Sequence, residues 1–511
     1  MAKFSNGTPS GTAVLETTNS STITYEGAPA FSFTEEAELL LLAASNMVGE
    51  HTFYQSANGR DSRYRDLIHK VTASNPAFIS GNETRQGLAS YLRSDLKMRS
   101  AAIVMAAEYI KAGGANGRKV VNSVLQRADE PSELLGYWIS NYGRRIPQPI
   151  KRGIADSLPR LWNEASIMKY DSSRHAVRFA DVIELTHPRG NDKSSLFRYL
   201  LDERHDHVTA SLDYGLPMIK RQLELERLDP EQRKNWLLRN GMPQGWTWER
   251  LSGWISPMDA MAWEIAIPQM GVMALLRNLR NFDQAGISDK AVDQVIAKIT
   301  NKENVEASRI WPLNVYAAYR ESTSDNYKRA LARTLEMTVT TLPELDASTL
   351  ILVDVSGSMI VPLSQRSTLQ RAEAASIIGA ALAFRTHGGT LAAFGNHSQD
   401  VQYVGYSVLG TAERITGARF YCGGGTDTAR AVQEMYSGQK RIIVITDEQT
   451  LTNYSHIVGQ NTFLHVFDLA GYGRASMEFG KSKRFVYGGF SDSLFSLLPI
   501  VEHGLHAGWP F

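Results

Sequence analysis

The sequence predicts two parts of different class, an α-helical repeat domain followed by a doubly wound α/β domain. Three observations carry this. From Thr34 to about Met337, helical apolar patterns follow one another with few convincing strands. After Thr341, short continuous apolar runs alternate with helical segments, the signature of a parallel sheet. One of those runs ends in the oxygen-rich loop DVSGSM, at the strand end where open parallel sheets gather binding groups.

Bulk properties bound the answer. A chain of 511 residues exceeds what one hydrophobic core holds, so at least two domains are expected. An apolar fraction of 43% and a charged fraction of 21% are those of an ordinary folded protein rather than a disordered one. The formal net charge of +1 gives no bulk argument for nucleic acid, so any basic surface must come from uneven distribution. The single cysteine, Cys422, excludes an internal disulfide framework and a cysteine-rich zinc site, and points to a reducing compartment. The start, MAKFSNGTPSGTAV, lacks the apolar core of a secretory signal, and no run of about 18 apolar residues offers a membrane span. The expectation is a soluble, cytoplasmic protein that does not insert in a membrane.

Taken in order, residues 1–30 are rich in Ser, Thr and Gly and read as a mobile arm ending in a short strand near 23–25. Acidic residues open a helix at 35–47, whose LLLLAA core is apolar on most sides. A second such helix, 100–111, carries AAIVMAA and is closed by Gly113 and Gly114, which tolerate the left-handed conformation. The pattern at 178–187 places Phe179, Val182 and Ile183 at helical spacing before Pro188 stops it. Segment 269–281 aligns Met270, Met273, Leu276 and Leu279, and 289–300 aligns Val292, Val295, Ile296 and Ile299. Helices without a strand partner must bury their stripes on each other, which over about 300 residues predicts stacked helix pairs. TLPELDAS, 341–348, reads as a linker, so the helical domain is assigned to 1–345 and the α/β domain to 346–511. In the latter, strands are expected at 349–355, 390–394, 441–446 and 463–467, and helices at 369–387, 428–436 and 494–501.

The loop after the first of these strands supplies Asp354, Ser356 and Ser358. A carboxylate and two hydroxyls on one turn form a hard, oxygen-only ligand set suited to Mg²⁺ or Mn²⁺. GGGTD adds Thr426 on a glycine-rich loop, and VITDE adds Asp447 at the end of another buried strand. A plain helix cap explains DVSGSM alone but not its company. A phosphate-binding loop is a poorer reading, because no lysine follows the glycines of GGGTDT. Cys422, just before that loop, reads as a small packed residue. The three pieces, in this order, resemble the von Willebrand A domain and its metal-ion-dependent adhesion site. The resemblance implies that Ser356, Ser358 and Thr426 hold the ion through hydroxyls, with Asp354 and Asp447 binding directly or through water. It also implies an open position for a partner's carboxylate.

The helical part has no cluster resembling a catalytic site, but its charges are segregated. Residues 84–127 carry Arg85, Arg93, Lys97, Arg99, Lys111, Arg118, Lys119 and Arg127 against only Asp95 and Glu108. GRRIPQPIKR adds Arg144, Arg145, Lys151 and Arg152. Such stretches either neutralise phosphates or form solvated helix faces. Several segments look like the TROVE domain of the Ro autoantigen family, which also ends in a von Willebrand A domain. They are YEGAPAF (25–31) and HTFY (51–54), KY (169–170) with FADVIELTHP (179–188), IPQMGVMALLRNLRNF (267–282), and SRIWPLNVYAAY (308–319). Their order, followed by the metal site, is similar to that family over roughly 20–511.

That resemblance, to a bacterial or phage relative, implies a ring of HEAT-like repeats closed by the von Willebrand A domain. It implies binding of small noncoding, Y-like RNAs on a basic outer surface and of the 3′ ends of misfolded RNA in a central hole. An exoribonuclease is an implied partner. By position, Lys169 and His187 would lie on the RNA-contacting surface, and Arg277 and Arg280 fall off the apolar stripe of their helix. The chain departs from a purely basic surface at Asp171, Asp181 and Glu184, and follows His187 with Pro-Arg-Gly-Asn. The functional expectation is a non-catalytic RNA-binding scaffold for RNA quality control. The alternative is a protein-interaction scaffold that grips acidic ligands. An enzyme reading is weak, since no general base or second metal cluster accompanies the oxygen set.

Overall fold

The computed structural model describes residues 17–23, 29–33, 35–45 and 57–502, apart from 173–174, 209–212, 346–347, 364–366, 387, 418–419, 421, 423, 448–453, 455, 470–482, 489–494, 496 and 500–501. The first part of the arm, the HTFY motif and much of the expected closing helix at 494–501 therefore lie outside the described residues. The chain divides into two compact units, one of Thr72–Thr338 and one of Met1–Val71 with Val339–Phe511. Residues 1–71 thus group with the C-terminal part, whereas the sequence reading placed them with the helices. One contact behind this is that of the helix Glu35–Ser45, with Leu39, Leu40, Ala43 and Ala44 buried, against the last strand of the C-terminal sheet. No described helix is long and apolar enough to cross a membrane.

The described part of Thr72–Thr338 is helical throughout, as the periodicity predicts. The helix Arg99–Lys111 is buried continuously from Ala101 to Tyr109, and Gly113 at φ +83° lies just beyond its end. The helices Gly117–Val124 and Gln148–Leu161 pack closely because Gly153 lies at their crossing. A Cβ there would sit 2.6 Å from Val121 Cβ and 2.7 Å from the Arg118 carbonyl, so only glycine permits this approach. Trp162, just past that helix, stacks on Phe179 at 4.5 Å and meets Phe197 edge-on at 6.0 Å. Its indole N–H donates to the Ala128 carbonyl at 2.9 Å, so the large apolar surface is buried without an orphaned donor.

Helix boundaries differ from expectation where a local break was not legible. The segment expected at 269–281 is a 3₁₀ turn, Ile267–Gln269, then the helix Val272–Ala285. Its buried stripe is Val272, Leu275, Leu276, Leu279 and Phe282, and Met273 is only half-buried. The turn is closed by Lys298, whose ammonium donates to the carbonyls of Ile267, Pro268 and Met270. The helix Phe179–Thr186 ends on His187 in the left-handed conformation, φ +50°, immediately before Pro188.

In the other unit β1 (Thr17–Ile23) and β2 (Pro29–Phe33) pair antiparallel, so paired strands stand in the stretch read as an arm ending in a short strand near 23–25. The main sheet contains β3 (Thr349–Asp354), β4 (Thr390–Phe394), β5 (Ser398–Asp400), β6 (Arg441–Thr446), β7 (Phe463–Asp468) and β8 (Arg484–Gly488). Its order is β5-β4-β3-β6-β7-β8, parallel except for the edge strand β5. Strands β3 and β6 are buried along their whole length, as their unbroken apolar runs require. The helix expected at 369–387 spans Arg371–Phe384. The expected linker is tied down, with Leu342 and Leu345 buried and the Leu345 N–H donating to the Arg385 carbonyl.

Replacing Trp162 by Ala should cost about 3–5 kcal/mol of stability, because it removes a ring from three helices at once. Urea unfolding followed by circular dichroism checks this, with an unchanged midpoint as the contrary result.

Candidate functional sites

The oxygen-rich loops converge as the motif spacing predicts. Strand β3 delivers Asp354, fully buried, whose carboxylate accepts from the Ser356 N–H at 2.8 Å and the Thr446 hydroxyl at 2.6 Å. The Ser356 hydroxyl lies 3.2 Å from that of Ser358 and accepts from Thr426 at 2.9 Å. Thr426 reaches it because the Gly357 N–H donates to the Gly424 carbonyl, clamping the two loops together. Asp447, at the end of β6, is fully buried and accepts from the guanidinium of Arg371 at 3.2 Å. Burial, and then the charge of Asp447, push the Asp354 carboxyl up to about 7.

Among the described residues no group of three or more His, Cys, Asp or Glu side chains could hold a metal, so an ion here would depend on hydroxyl oxygens. The donor set fits a hard divalent cation: three hydroxyls linked through Ser356 beside two buried carboxylates whose repulsion a cation would relieve. Sequence reasoning missed three neighbours. Thr446 holds Asp354, and Arg371 pairs with Asp447 although it is 76 residues away. Asp468, fully buried, stands opposite Thr446 in the sheet register, at the end of a strand that the expectation stopped one residue short. Cys422 is buried, as its packed reading requires.

The basic stretch of the helical unit separates into two populations. Arg93 donates to the fully buried Glu130 at 2.6 Å. Arg99 pairs with Asp129 and Glu133, and Arg127 grips Asp129 with two donors. Glu130 also accepts the Gln126 and Arg127 backbone N–H groups, at 2.6 and 2.9 Å. These three arginines therefore offset buried or half-buried carboxylates. Lys97 is exposed, but its ammonium donates to the Ser94 carbonyl, and partial burial together with Arg309 lowers its pKa. Lys119, Arg144, Arg145 and Arg277 are exposed and have no carboxylate partner among the described residues.

A second set lines one groove. Arg118, Lys151, Arg152, Asp156, His187 and Arg189 surround a cavity of about 710 Å³. The helices Gly117–Val124 and Gln148–Leu161 supply the first four, and the left-handed turn after Thr186 swings in His187 and Arg189. Here the structure joins two basic stretches that the sequence lists apart. It does not add Lys169, which lies instead over the Tyr170 ring at 4.9 Å, with Arg127 against the same ring at 5.2 Å. Arg189, from the Pro-Arg-Gly-Asn departure, was not singled out as a contact. No letter pattern at 188–191 marks it, since its placement depends on the turn at His187.

Comparison with known proteins does not stop at the boundary between the two units. The model of the TROVE domain matches residues 197–374, a segment that includes Arg277, Asp354, Ser356 and Ser358. No curated protein matches. Among solved structures the chain is similar to the Deinococcus radiodurans RO (RSR) protein. The TM-score is 0.67 at 16% identity, covering 92% of this chain and 99% of that one. The shared architecture bears out the expected fold of a helical domain with a von Willebrand A-like domain.

Two outcomes are expected from these geometries. Glu130→Gln should cost about 3–5 kcal/mol, since it strands Arg93 beside a neutral group in the interior, and urea unfolding measures it. Because the Asp354 carboxyl is raised from 3.8 to about 7 in the folded chain, its contribution to stability is complete below the unfolded value and is lost as pH rises through the folded one. Unfolding midpoints measured across that window in chelator should fall with pH, and Asp354→Asn should remove this part of the slope. A variant with the same pH slope as the parent would refute the assignment.

Proposed function

We propose that this chain is a member of the Ro family of TROVE-domain proteins and an RNA-binding scaffold rather than a catalyst, a reading supported by the TROVE match over 197–374 and the likeness in fold to the Deinococcus radiodurans RO (RSR) protein, and that the groove of its helical unit is a principal RNA contact. The observation that carries this is the convergence of Arg118, Lys151, Arg152, His187 and Arg189 on one concave surface in a chain of net charge +1. Arg118 is paired with Asp156, but Lys151, Arg152 and Arg189 have no carboxylate partner among the described residues, and such local cations attract phosphate whatever the bulk charge. On this reading Lys151, Arg152 and Arg189 contact phosphates, and His187 donates at the edge of the groove. Exposed Lys119, Arg144 and Arg145 extend the field. Lys169 and Arg277 are secondary contacts. Arg93, Arg99 and Arg127 hold the scaffold together instead. Small folded noncoding RNAs of Y type, and the single-stranded ends of misfolded RNA, are the ligands that the family relationship favours, in a role in RNA quality control. An exoribonuclease is a fitting partner for that role.

The loop cluster supports a second element of the reading, a Mg²⁺ or Mn²⁺ site. Ser356, Ser358 and Thr426 would hold the ion through hydroxyls, and Asp354 and Asp447 would supply the negative charge. A hard cation held there would polarise an oxygen ligand and offer it a coordination position.

RNA binding should weaken with salt. Four cationic contacts on a single strand give a slope of log affinity against log salt of roughly −3, at about −0.7 per contact. Lys151→Gln with Arg152→Gln should make that slope shallower by about 1.4 units. Asp354→Ala should leave it unchanged while abolishing Mn²⁺ binding by calorimetry. A flat salt response, or RNA affinity lost only in the Asp354 variant, would overturn the RNA reading in favour of a protein scaffold.

A further inference from the structure

We infer that Arg371 is a built-in counter-cation of the oxygen cluster, which shares Asp447 with a bound divalent ion and so lowers the affinity for that ion while keeping the cluster folded without it. The inference rests on the metal reading above and deepens it. The Arg371 guanidinium meets the Asp447 carboxylate at 3.2 Å, with side chains 3% and 0% exposed. Its place is fixed by the loop that carries the hydroxyls. The turn Gly357–Ile360, which contains Ser358, packs on the helix Arg371–Phe384. The Arg371 N–H donates to the Val361 carbonyl at 3.0 Å, and the Leu363 N–H donates to the Leu369 carbonyl at 2.8 Å. The guanidinium is therefore tethered to the backbone just beyond Ser358.

Local energetics do not explain an arginine at this position. Arg371 is the first residue of its helix, where the macrodipole is positive and a cation is unfavourable. A guanidinium taken out of water costs more again unless an opposite charge meets it. The helix start is capped by other means, since the Gln370 N–H donates to the Glu373 carboxylate at 2.9 Å. What offsets both costs is the carboxylate at the end of β6. Asp354 and Asp447 are fully buried at this edge of the sheet, and Asp468 is a third fully buried carboxylate at the end of β7. A guanidinium neutralises part of that charge. An ion entering beside Asp447 would meet a cation already there, so the attraction it gains is reduced. With no ion, Asp447 keeps an opposite charge instead of facing Asp354 uncompensated. The result is a site whose occupancy follows the ion concentration, in contrast to a site that needs its ion to fold.

The test uses the full chain, with Mn²⁺ as the probe. Calorimetry should show Arg371→Gln binding Mn²⁺ about tenfold tighter than the parent, because the ion no longer shares Asp447 with a cation. Arg371→Lys, which keeps the charge, should stay within about threefold of the parent. In chelator, Arg371→Gln should melt about 5 °C below the parent, and saturating Mn²⁺ should raise its Tm by about 3–5 °C more than it raises the parent's. Adding Asp447→Asn to Arg371→Gln should recover stability in chelator, which a side chain serving only to fill space would not allow. Mn²⁺ affinity unchanged or weakened in Arg371→Gln overturns the inference and leaves the metal reading standing. If Arg371→Gln is unfolded with and without Mn²⁺, the double variant decides: recovered folding supports the charge role, and none overturns it. If neither the parent nor any variant binds Mn²⁺, the metal reading and the inference fall together.

Discussion

A carboxylate taken out of water must be given partners, and both units are organised around meeting that demand. Glu130 is fully buried, and it gathers two backbone N–H groups and the guanidinium of Arg93, with Arg99 close by. Asp129 holds Arg127 and Arg99 beside it. Removing one partner from such a set costs more than the set contributes over an apolar replacement, so these contacts constrain the fold tightly. They also decide function by subtraction. Cations committed to buried carboxylates are unavailable to phosphate, and the anion-facing surface is what the interior leaves over.

This is why the basic surface was only half legible in the sequence. The density of lysine and arginine between residues 84 and 152 was plain. What the letters did not show is that Arg93 meets Glu130 across 37 positions and Arg118 meets Asp156 across 38. Pairings at that range depend on which helices touch, and for Arg118 and Asp156 that approach is permitted by Gly153 at the crossing. The oxygen cluster was legible for the opposite reason. Each of its pieces ends a buried strand or opens a loop at the same edge of a parallel sheet, so topology alone brings them together. The fold followed the same rule. Long apolar runs gave β3, β4, β6 and β7. The three-residue β5, the more polar β8 and the Ser- and Thr-rich hairpin did not stand out, because their stability comes from neighbours rather than from pattern.

The C-terminal sheet carries the same constraint to its other end. Arg441 opens β6 and forms a two-donor pair with Glu502, which His465 also contacts at 2.9 Å while its other ring nitrogen meets the Tyr487 hydroxyl at 2.8 Å. Burial pulls the His465 pKa down although Glu502 opposes this. Glu502, which burial alone would raise, is instead held at about 2, with the Arg441 hydrogen bond the largest opposing influence. One end of the sheet therefore stores a satisfied charge network, and the other gathers carboxylates and hydroxyls.

Net charge is a poor guide to partners in such a molecule. A total of +1 hides how differently the charges are placed: some cations are paired with buried carboxylates, carboxylates collect at a strand edge, and Lys151, Arg152 and Arg189 line one groove. Screening removes most of the field from charges farther than about 8–10 Å, so local placement, not the total, is what an approaching anion would meet.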